Sequence, residues 1–273
     1  MGWSNFSKNG GRQANSMIDL IKILLKGMIF LRNYKAELEN RVKFIKEVLG
    51  AAGATGIIFG NSGGKDAALV GILCKMACDN TVGVITPCDS KRNYGEDKDH
   101  AELLAEQFNI ETRVVDLTAT KKTLIDAMAN ASELTHAVIS NIAPRLRMAA
   151  WYAITQTENR LLAGTSNRSE RHMGYFTKFG DNAHDFNPIA DLTVTEVYEF
   201  LRYLNAPNCI IDKAPSAGLF DGQTDEDDMG VTYKAIDEYL LTGNANEHDL
   251  KIIERYHSIS EHKRKMPATY EGE

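Results

Sequence analysis

The sequence predicts an α/β fold, a parallel sheet flanked by helices. Short apolar, β-leaning runs alternate with helical segments of ten or more residues, which implies parallel pairing and right-handed crossovers. The chain has 273 residues, enough for one large domain or a domain with an appendage. Its 43% apolar and 25% charged content is that of an ordinary globular protein.

Residues 1–16 are polar, carry Gly10-Gly11 and read as disordered. Residues 17–31 are apolar, but Asp19, Lys22 and Lys26 interrupt them, and the run is shorter than the roughly 20 residues of a membrane span. A signal peptide is not supported, since Arg32-Asn33-Tyr34-Lys35 stands where small residues would be cleaved. Phe6 breaks the myristoylation pattern. Residues 1–33 therefore read as an N-terminal extension, partly disordered or an amphipathic helix, and 34–273 as the folded domain.

Helical periodicity covers 35–49. A strand follows over 55–59, where Ile57, Ile58 and Phe59 favour the pleat. A helix over 66–78 opens after a glycine pair. Strands over 81–86 and 112–116, with a helix over 96–108 between them, continue the alternation. Helices over about 121–130 and 141–157 precede a strand over 160–164. Residues 213–230 form a long acidic loop with Asp221, Asp225, Glu226, Asp227 and Asp228, either a solvated loop or a mobile lid. Helices over 231–241 and 247–263 close the domain, with a basic tail His262-Lys263-Arg264-Lys265.

Net charge is −6, with 31 Lys and Arg against 37 Asp and Glu, which argues against a general nucleic-acid binder. Cys74, Cys78, Cys88 and Cys209 form neither a zinc pattern nor a disulfide framework, as suits a reducing cytoplasm.

Two loops carry the chemistry. Gly60-Asn61-Ser62-Gly63-Gly64-Lys65-Asp66 joins the first strand to its helix, a geometry that aims backbone N–H groups and a helix N-terminus at an anion such as a polyphosphate. It is not a Walker A loop, because Phe59 stands where Gly is needed and Asp66 where Ser or Thr is needed. The second loop follows the strand ending at Gly164 and gathers Thr165, Glu170, Lys178, Asp181 and Asp185. Both loops leave the carboxyl ends of strands, so they should share one cleft.

Ser62-Gly-Gly-x-Asp66 resembles the pyrophosphate loop of the ATP pyrophosphatases. With the second loop, and with 141–148, 222–230, 230–239 and 261–264, the chain closely resembles ammonia-dependent NAD synthetase from about Tyr34 to Pro267. The resemblance implies a Rossmann-like fold of the adenine nucleotide alpha hydrolase type. It also implies amidation of deamido-NAD with ATP and ammonia to give NAD, AMP and pyrophosphate through an NAD-adenylate. By position, Gly60, Asn61, Ser62, Gly63, Gly64, Lys65, Asp66 and Ala67 would hold the ATP phosphates, and Thr165 and Ser216 would meet ATP. Asp66 and Glu170 would hold Mg²⁺, and with Lys178 they are the implied catalytic residues. Arg145, Lys178, Asp185, His262 and Lys263 would contact deamido-NAD, with Tyr175 or Phe176 near the nicotinate. Family members are usually homodimers. No amidase-type domain is expected, so free ammonia would be the nitrogen donor. The resemblance brings no nucleic-acid or membrane partner.

Three positions depart from the family pattern: Ala67 and Ser216 replace Ser and Thr, and Val194 stands where many members carry Lys. Lys65 beside Ala67 can supply compensating charge, and Lys65→Ala would then raise the KM for ATP. Two other readings stay open: an ATP pyrophosphatase that adenylates another substrate, such as a GMP-synthetase-like or tRNA-modifying enzyme, and a catalytically silent nucleotide-binding module.

Overall fold

The computed structural model describes residues 32–89, 94–213 and 224–271. The reading of residues 1–33 therefore falls almost wholly outside the described residues. Residues Tyr34–Glu273 belong to one compact unit.

Four strands form a wholly parallel sheet: β1 (Gly56–Gly60), β2 (Thr81–Ile85), β3 (Glu111–Val114) and β4 (Arg160–Ala163), in the order β3-β2-β1-β4. Register pairs Ile58 with Val82 on one side and with Leu162 on the other. Every residue of β1 and β2 is buried, as expected of central strands covered on both faces.

The pleat divides β1 between two layers. Ile57 and Phe59 pack with α1 (Tyr34–Ala52) and α2 (Lys65–Ala77). Ile58, with Val82, Val84 and Leu162, packs against Trp151, Tyr152 and Ile154 of α6 (Ile142–Glu158). The nine buried residues of α2 explain its nearly unbroken apolar sequence, since a helix apolar all round is an interior one. Between β2 and α6 lie α3 (Glu96–Gln107), α4 (Thr118–Met128) and α5 (His136–Ser140).

The strand order fixes where a ligand goes. The sheet grows outward from β1 through β2 to β3, then reverses to place β4 on the other side of β1. The loops after β1 and β4 diverge at this switch point, which opens a crevice at the carboxyl ends.

Several segments differ from the sequence reading. The loop after β4 contains α7 (Arg168–Met173), and Phe186 returns to pair with Ala163. The sequence reading did not include α8 (Val194–Tyr203), although Val194, Val197, Tyr198 and Leu201 recur at helical spacing; a Thr193–Glu196 capping box starts it, and Val197, Phe200 and Leu201 enter the main core. The short α9 (Asn208–Ile211) follows it, and the acidic segment ends as α10 (Asp225–Met229). Then come α11 (Tyr233–Thr242), α12 (Glu247–Ile259) and α13 (Glu261–Arg264); Ser260 interrupts the single helix expected over 247–263. A second apolar cluster, including Met173, Val194, Met229, Tyr233, Ile236 and Ile253, binds these later helices together.

Two members of the basic tail are docked, while His262 and Lys265 stay exposed. Lys263 donates 2.8 Å bonds to the carbonyls of Gly174 and Phe176, and Arg264 donates to the carbonyl of His172 at 3.2 Å. The α12–α13 end is thereby pinned to the loop after α7.

Candidate functional site

A cavity of about 800 Å³ opens at the switch point, lined from both loops and from α6, α7 and α13. Its floor is the turn between β1 and α2. Gly63 has φ +70° and lies so close to α3 that a Cβ would sit 2.1 Å from the Asp97 carbonyl oxygen, so only glycine fits. At Gly60 a Cβ would meet the Trp151 ring at 2.4 Å. Gly64, at the N-cap of α2, provides no side-chain cap. The first backbone N–H groups of the helix thus face the cavity with the positive end of its dipole, which suits a phosphate. Asn61 is buried; its amide donates to Ala101 at 3.0 Å while its Oδ1 has no hydrogen-bond partner.

Beside this floor sits a buried ionic group. Asp66 and Glu170 side chains are 14% and 16% exposed, and both reach the Lys65 ammonium, at 2.7 Å and 3.6 Å. Asn167, fully buried, joins the two carboxylates: its side-chain amide donates to Asp66 Oδ1 at 3.0 Å, and its backbone N–H donates to Glu170 Oε2 at 3.3 Å. Its Oδ1 accepts from the Glu170 N–H at 3.0 Å and completes a capping box at the start of α7. Burial, with Asp66 next to it, pushes the Glu170 carboxyl well above the usual carboxylate range, although Lys65 opposes the shift. Burial would lower the Lys65 ammonium, but Asp66 and Glu170 more than offset that and hold it firmly protonated. Asp225, 3% exposed, accepts from the Tyr233 hydroxyl at 3.0 Å and adds negative charge to the group.

The donor set fits Mg²⁺: hard carboxylate oxygens, with neither thiolate nor imidazole beside them. Among the described residues no three carboxylate, His or Cys groups form a ready cage. Two carboxylates completed by substrate phosphates are the usual arrangement for this ion.

The far wall is apolar and aromatic, made by Met173, Tyr175, Phe176, Tyr256 and Ile259. Arg147 lines the cavity at the carboxyl end of β2, its Nε donating to the Thr86 carbonyl at 3.1 Å, and burial lowers its pKa. Asp181 also lines the cavity; its Oδ1 accepts from the Thr177 N–H at 2.7 Å, and burial raises its pKa.

Of the residues singled out in the sequence, Gly60, Asn61, Ser62, Gly64, Lys65, Asp66, Ala67, Thr165, Glu170, His262 and Lys263 line this one cavity. The expectation of a shared cleft holds. Gly63 shapes the turn from behind. Arg145, Lys178, Asp185 and Val194 do not line it. Arg145 is exposed and donates to the Lys178 carbonyl at 3.4 Å, and the Lys178 ammonium sits 5.2 Å over the Phe179 ring. Asp185 accepts from the Leu162 N–H at 2.7 Å and from the Tyr152 hydroxyl at 3.3 Å, which ties the returning segment to β4. Ser216 is outside the described residues. Val194 is 3% exposed and packs in the second cluster.

Sequence reasoning missed Asn167, Arg147, Trp151 and the buried role of Asp225. The Asn167-x-x-Glu170 pattern was a readable capping signal; the other three depend on contacts that no local pattern announces.

A family model for NAD synthase matches residues 37–267. An NH(3)-dependent NAD(+) synthetase from Carboxydothermus hydrogenoformans is 43% identical over 238 residues, covering 86% of this chain and 97% of the relative. Among solved structures, an NMN synthetase from Francisella tularensis superposes with a TM-score of 0.83 at 37% identity, covering 88% of this chain and 99% of that one. An NH3-dependent NAD synthetase from Campylobacter jejuni superposes at 0.72 with 29% identity, covering 88% and 100%.

Proposed function

This chain belongs to the NAD synthase family, and from that premise we propose a division of labour among the residues of its cavity. The enzyme amidates deamido-NAD with ammonia and ATP, giving NAD, AMP and pyrophosphate. The single observation that carries the assignment of roles is the convergence of Asp66 and Glu170 beside the anion-ready turn.

The chemistry asks the protein for alignment and charge neutralisation rather than for a nucleophile. The nicotinate carboxylate attacks the α-phosphorus of ATP and pyrophosphate leaves. Ammonia then adds to the acyl carbon of the NAD-adenylate and AMP departs. The backbone of 60–67 grips the phosphates at the α2 N-terminus. Thr165 meets the nucleotide. Asp66 and Glu170 would hold Mg²⁺, which neutralises charge on the phosphates when bound. Lys263 orients the loop carrying Phe176 through two carbonyls, so its effect on the nicotinate end is indirect. His262 reaches the same end directly. Arg145 and Lys178, beside each other outside the cavity, are placed to take a part of the dinucleotide that extends beyond it.

Residues 34–273 act as the catalytic domain and 1–33 as an extension, so removing 1–33 should leave turnover intact. The protein works as a homodimer in the cytoplasm, and light scattering at the monomer mass would refute the dimer. No helix among the described residues is long and apolar enough to cross a membrane.

The likeness to an NMN synthetase favours a second reading, in which the acid amidated is the mononucleotide. One experiment separates the readings. Amide formation is measured with ATP, Mg²⁺ and ammonium, using deamido-NAD or nicotinate mononucleotide as the acid, and with glutamine in place of ammonium. Higher kcat/KM on deamido-NAD with ammonium supports the first reading, and higher kcat/KM on the mononucleotide supports the second. Neither amide nor pyrophosphate from either acid would refute both.

A further inference from the structure

The metal pair already has a cation between its members. Lys65 is 7% exposed, and its ammonium lies 2.7 Å from Asp66 Oδ2, 3.6 Å from Glu170 Oε1 and 5.6 Å from the centroid of the Tyr233 ring. The other oxygen of each carboxylate is taken by Asn167. Each of those oxygens keeps a lone pair, but the two that converge on one point, and so are placed to share a divalent cation, are the two that face the lysine. Mg²⁺ needs its oxygens at about 2.0–2.1 Å. An ammonium and a divalent ion cannot both approach the same pair so closely, because their mutual repulsion in a buried site is strong.

We propose that Lys65 is a placeholder: its ammonium occupies the position a divalent cation would take and must swing to the incoming phosphates before that cation can enter. The metal then arrives with the nucleotide rather than ahead of it. Lys65 keeps two buried carboxylates close together, where their repulsion would otherwise spread them. This makes it a positioning residue. The inference rests on the reading of Asp66 and Glu170 as the metal pair, and it extends the expectation that Lys65→Ala raises the KM for ATP, since the displaced ammonium then donates to phosphate.

The test is Mn²⁺ binding by the full chain without nucleotide, read by electron paramagnetic resonance of the free ion. Lys65→Met should bind Mn²⁺ at least about tenfold more tightly than the wild type, a change of about 1.4 kcal/mol. Lys65→Gln, which keeps a polar head, should shift the same way and serves if the Met variant does not fold. Unchanged or weaker Mn²⁺ affinity in a folded Lys65 variant overturns the proposal. A parallel titration with a non-hydrolysable ATP analogue, wild type against Glu170→Gln, isolates the underlying reading. Loss of nucleotide-dependent Mn²⁺ binding in that variant upholds the metal pair whatever Lys65 does. Retention of it removes the pair and the placeholder together.

Discussion

Asn167 offers the most direct test of how the site is built, because one buried side chain serves both a helix and two carboxylates. Replacing it by Ala removes the α7 N-cap, at a cost of about 0.5–2 kcal/mol. It also removes the 3.0 Å donor to Asp66, a bond to a charged group worth about 1.5–3 kcal/mol. The two losses give about 2–5 kcal/mol, a large share of the about 5–15 kcal/mol that holds a domain together. Urea unfolding at pH 7 measures this, with steady-state kinetics on the same samples. Because Asn167 orients both members of the proposed metal pair, activity should also fall about 10–100-fold, as for other partners of metal ligands.

Asn167→Ser then separates the two roles. Serine keeps an oxygen for the Glu170 N–H but has no amide to reach Asp66. It should recover most of the cap energy and little of the activity. Wild-type turnover in the Ser variant, with only stability lost in Ala, would show that Asn167 is a helix cap and nothing more. An Ala variant destabilised by less than about 0.5 kcal/mol would refute the cap geometry itself.

Gly63→Ala places a methyl group 2.1 Å from the Asp97 carbonyl oxygen at a left-handed φ, which should cost about 2–5 kcal/mol from the two strains together and abolish turnover; wild-type thermal stability would refute it. Burial, with His257 stacked 4.1 Å away and Arg264 and Arg168 beside it, lowers the His172 pKa from 6.5 to about 4. Between those values the unfolded chain binds more protons, so stability rises with pH there and is lost on acidification, by about 1–2 kcal/mol after allowing for the half-exposed ring. His172→Phe keeps a ring in the stack and should flatten the urea midpoint between pH 6.5 and 4.5; an equal slope in both proteins would exclude His172 as the cause. Lys263→Met should destabilise by about 1–3 kcal/mol through two abandoned carbonyls and raise the KM for deamido-NAD. Unchanged denaturation with a raised KM would instead make Lys263 a direct substrate contact.

The two central strands were legible because β1 and β2 are apolar runs followed by helices, whereas the edge strand β3, Glu111-Thr112-Arg113-Val114, is mostly polar and showed itself by β-branched residues and by its place in the alternation. The predicted strand over 55–59 runs from Gly56 to Gly60, and 81–86 becomes Thr81–Ile85. The β1–α2 turn was legible because Gly63 and Gly64 meet a steric demand that shows in sequence. By contrast, α8 escaped notice. Its signals were present: Val194, Val197, Tyr198 and Leu201 fall at i, i+3, i+4 and i+7, and Thr193-x-x-Glu196 is a capping pattern, although β-branched Val194, Thr195 and Val197 lean locally towards strand. Asp225 was hidden differently. Within a run of four acidic residues nothing local marks the one that turns inward, and its partner Tyr233 identifies it only after folding. The docking of Lys263 and Arg264 onto the fold left no mark in the sequence, because their acceptors are backbone carbonyls some ninety residues earlier, and a carbonyl carries no sequence signature.

These concealed contacts share a consequence for how a chain of net charge −6 handles anionic substrates. The Lys and Arg side chains among the described residues of its cavity are already engaged: Lys65 by two carboxylates, Lys98 by Glu102, Lys213 by Asp97, Arg147 by the Thr86 carbonyl, Lys263 by Gly174 and Phe176. Engaged cations are held in place, and groups held in place lose little entropy and need little reorganisation when charge develops on the substrate. The same engagement weakens their pull on a passing anion. Discrimination then falls to groups that the protein leaves open, namely the N–H groups at the α2 N-terminus, which accept a phosphate without first releasing a partner. A polyphosphate that reaches those amides can afterwards compete for Lys65, whereas a simple carboxylate gains little there. On this argument nucleotide binding comes first and the acid second. Initial-rate patterns that place the acid first would contradict the assignment of Lys65 and the α2 amides to one shared phosphate site.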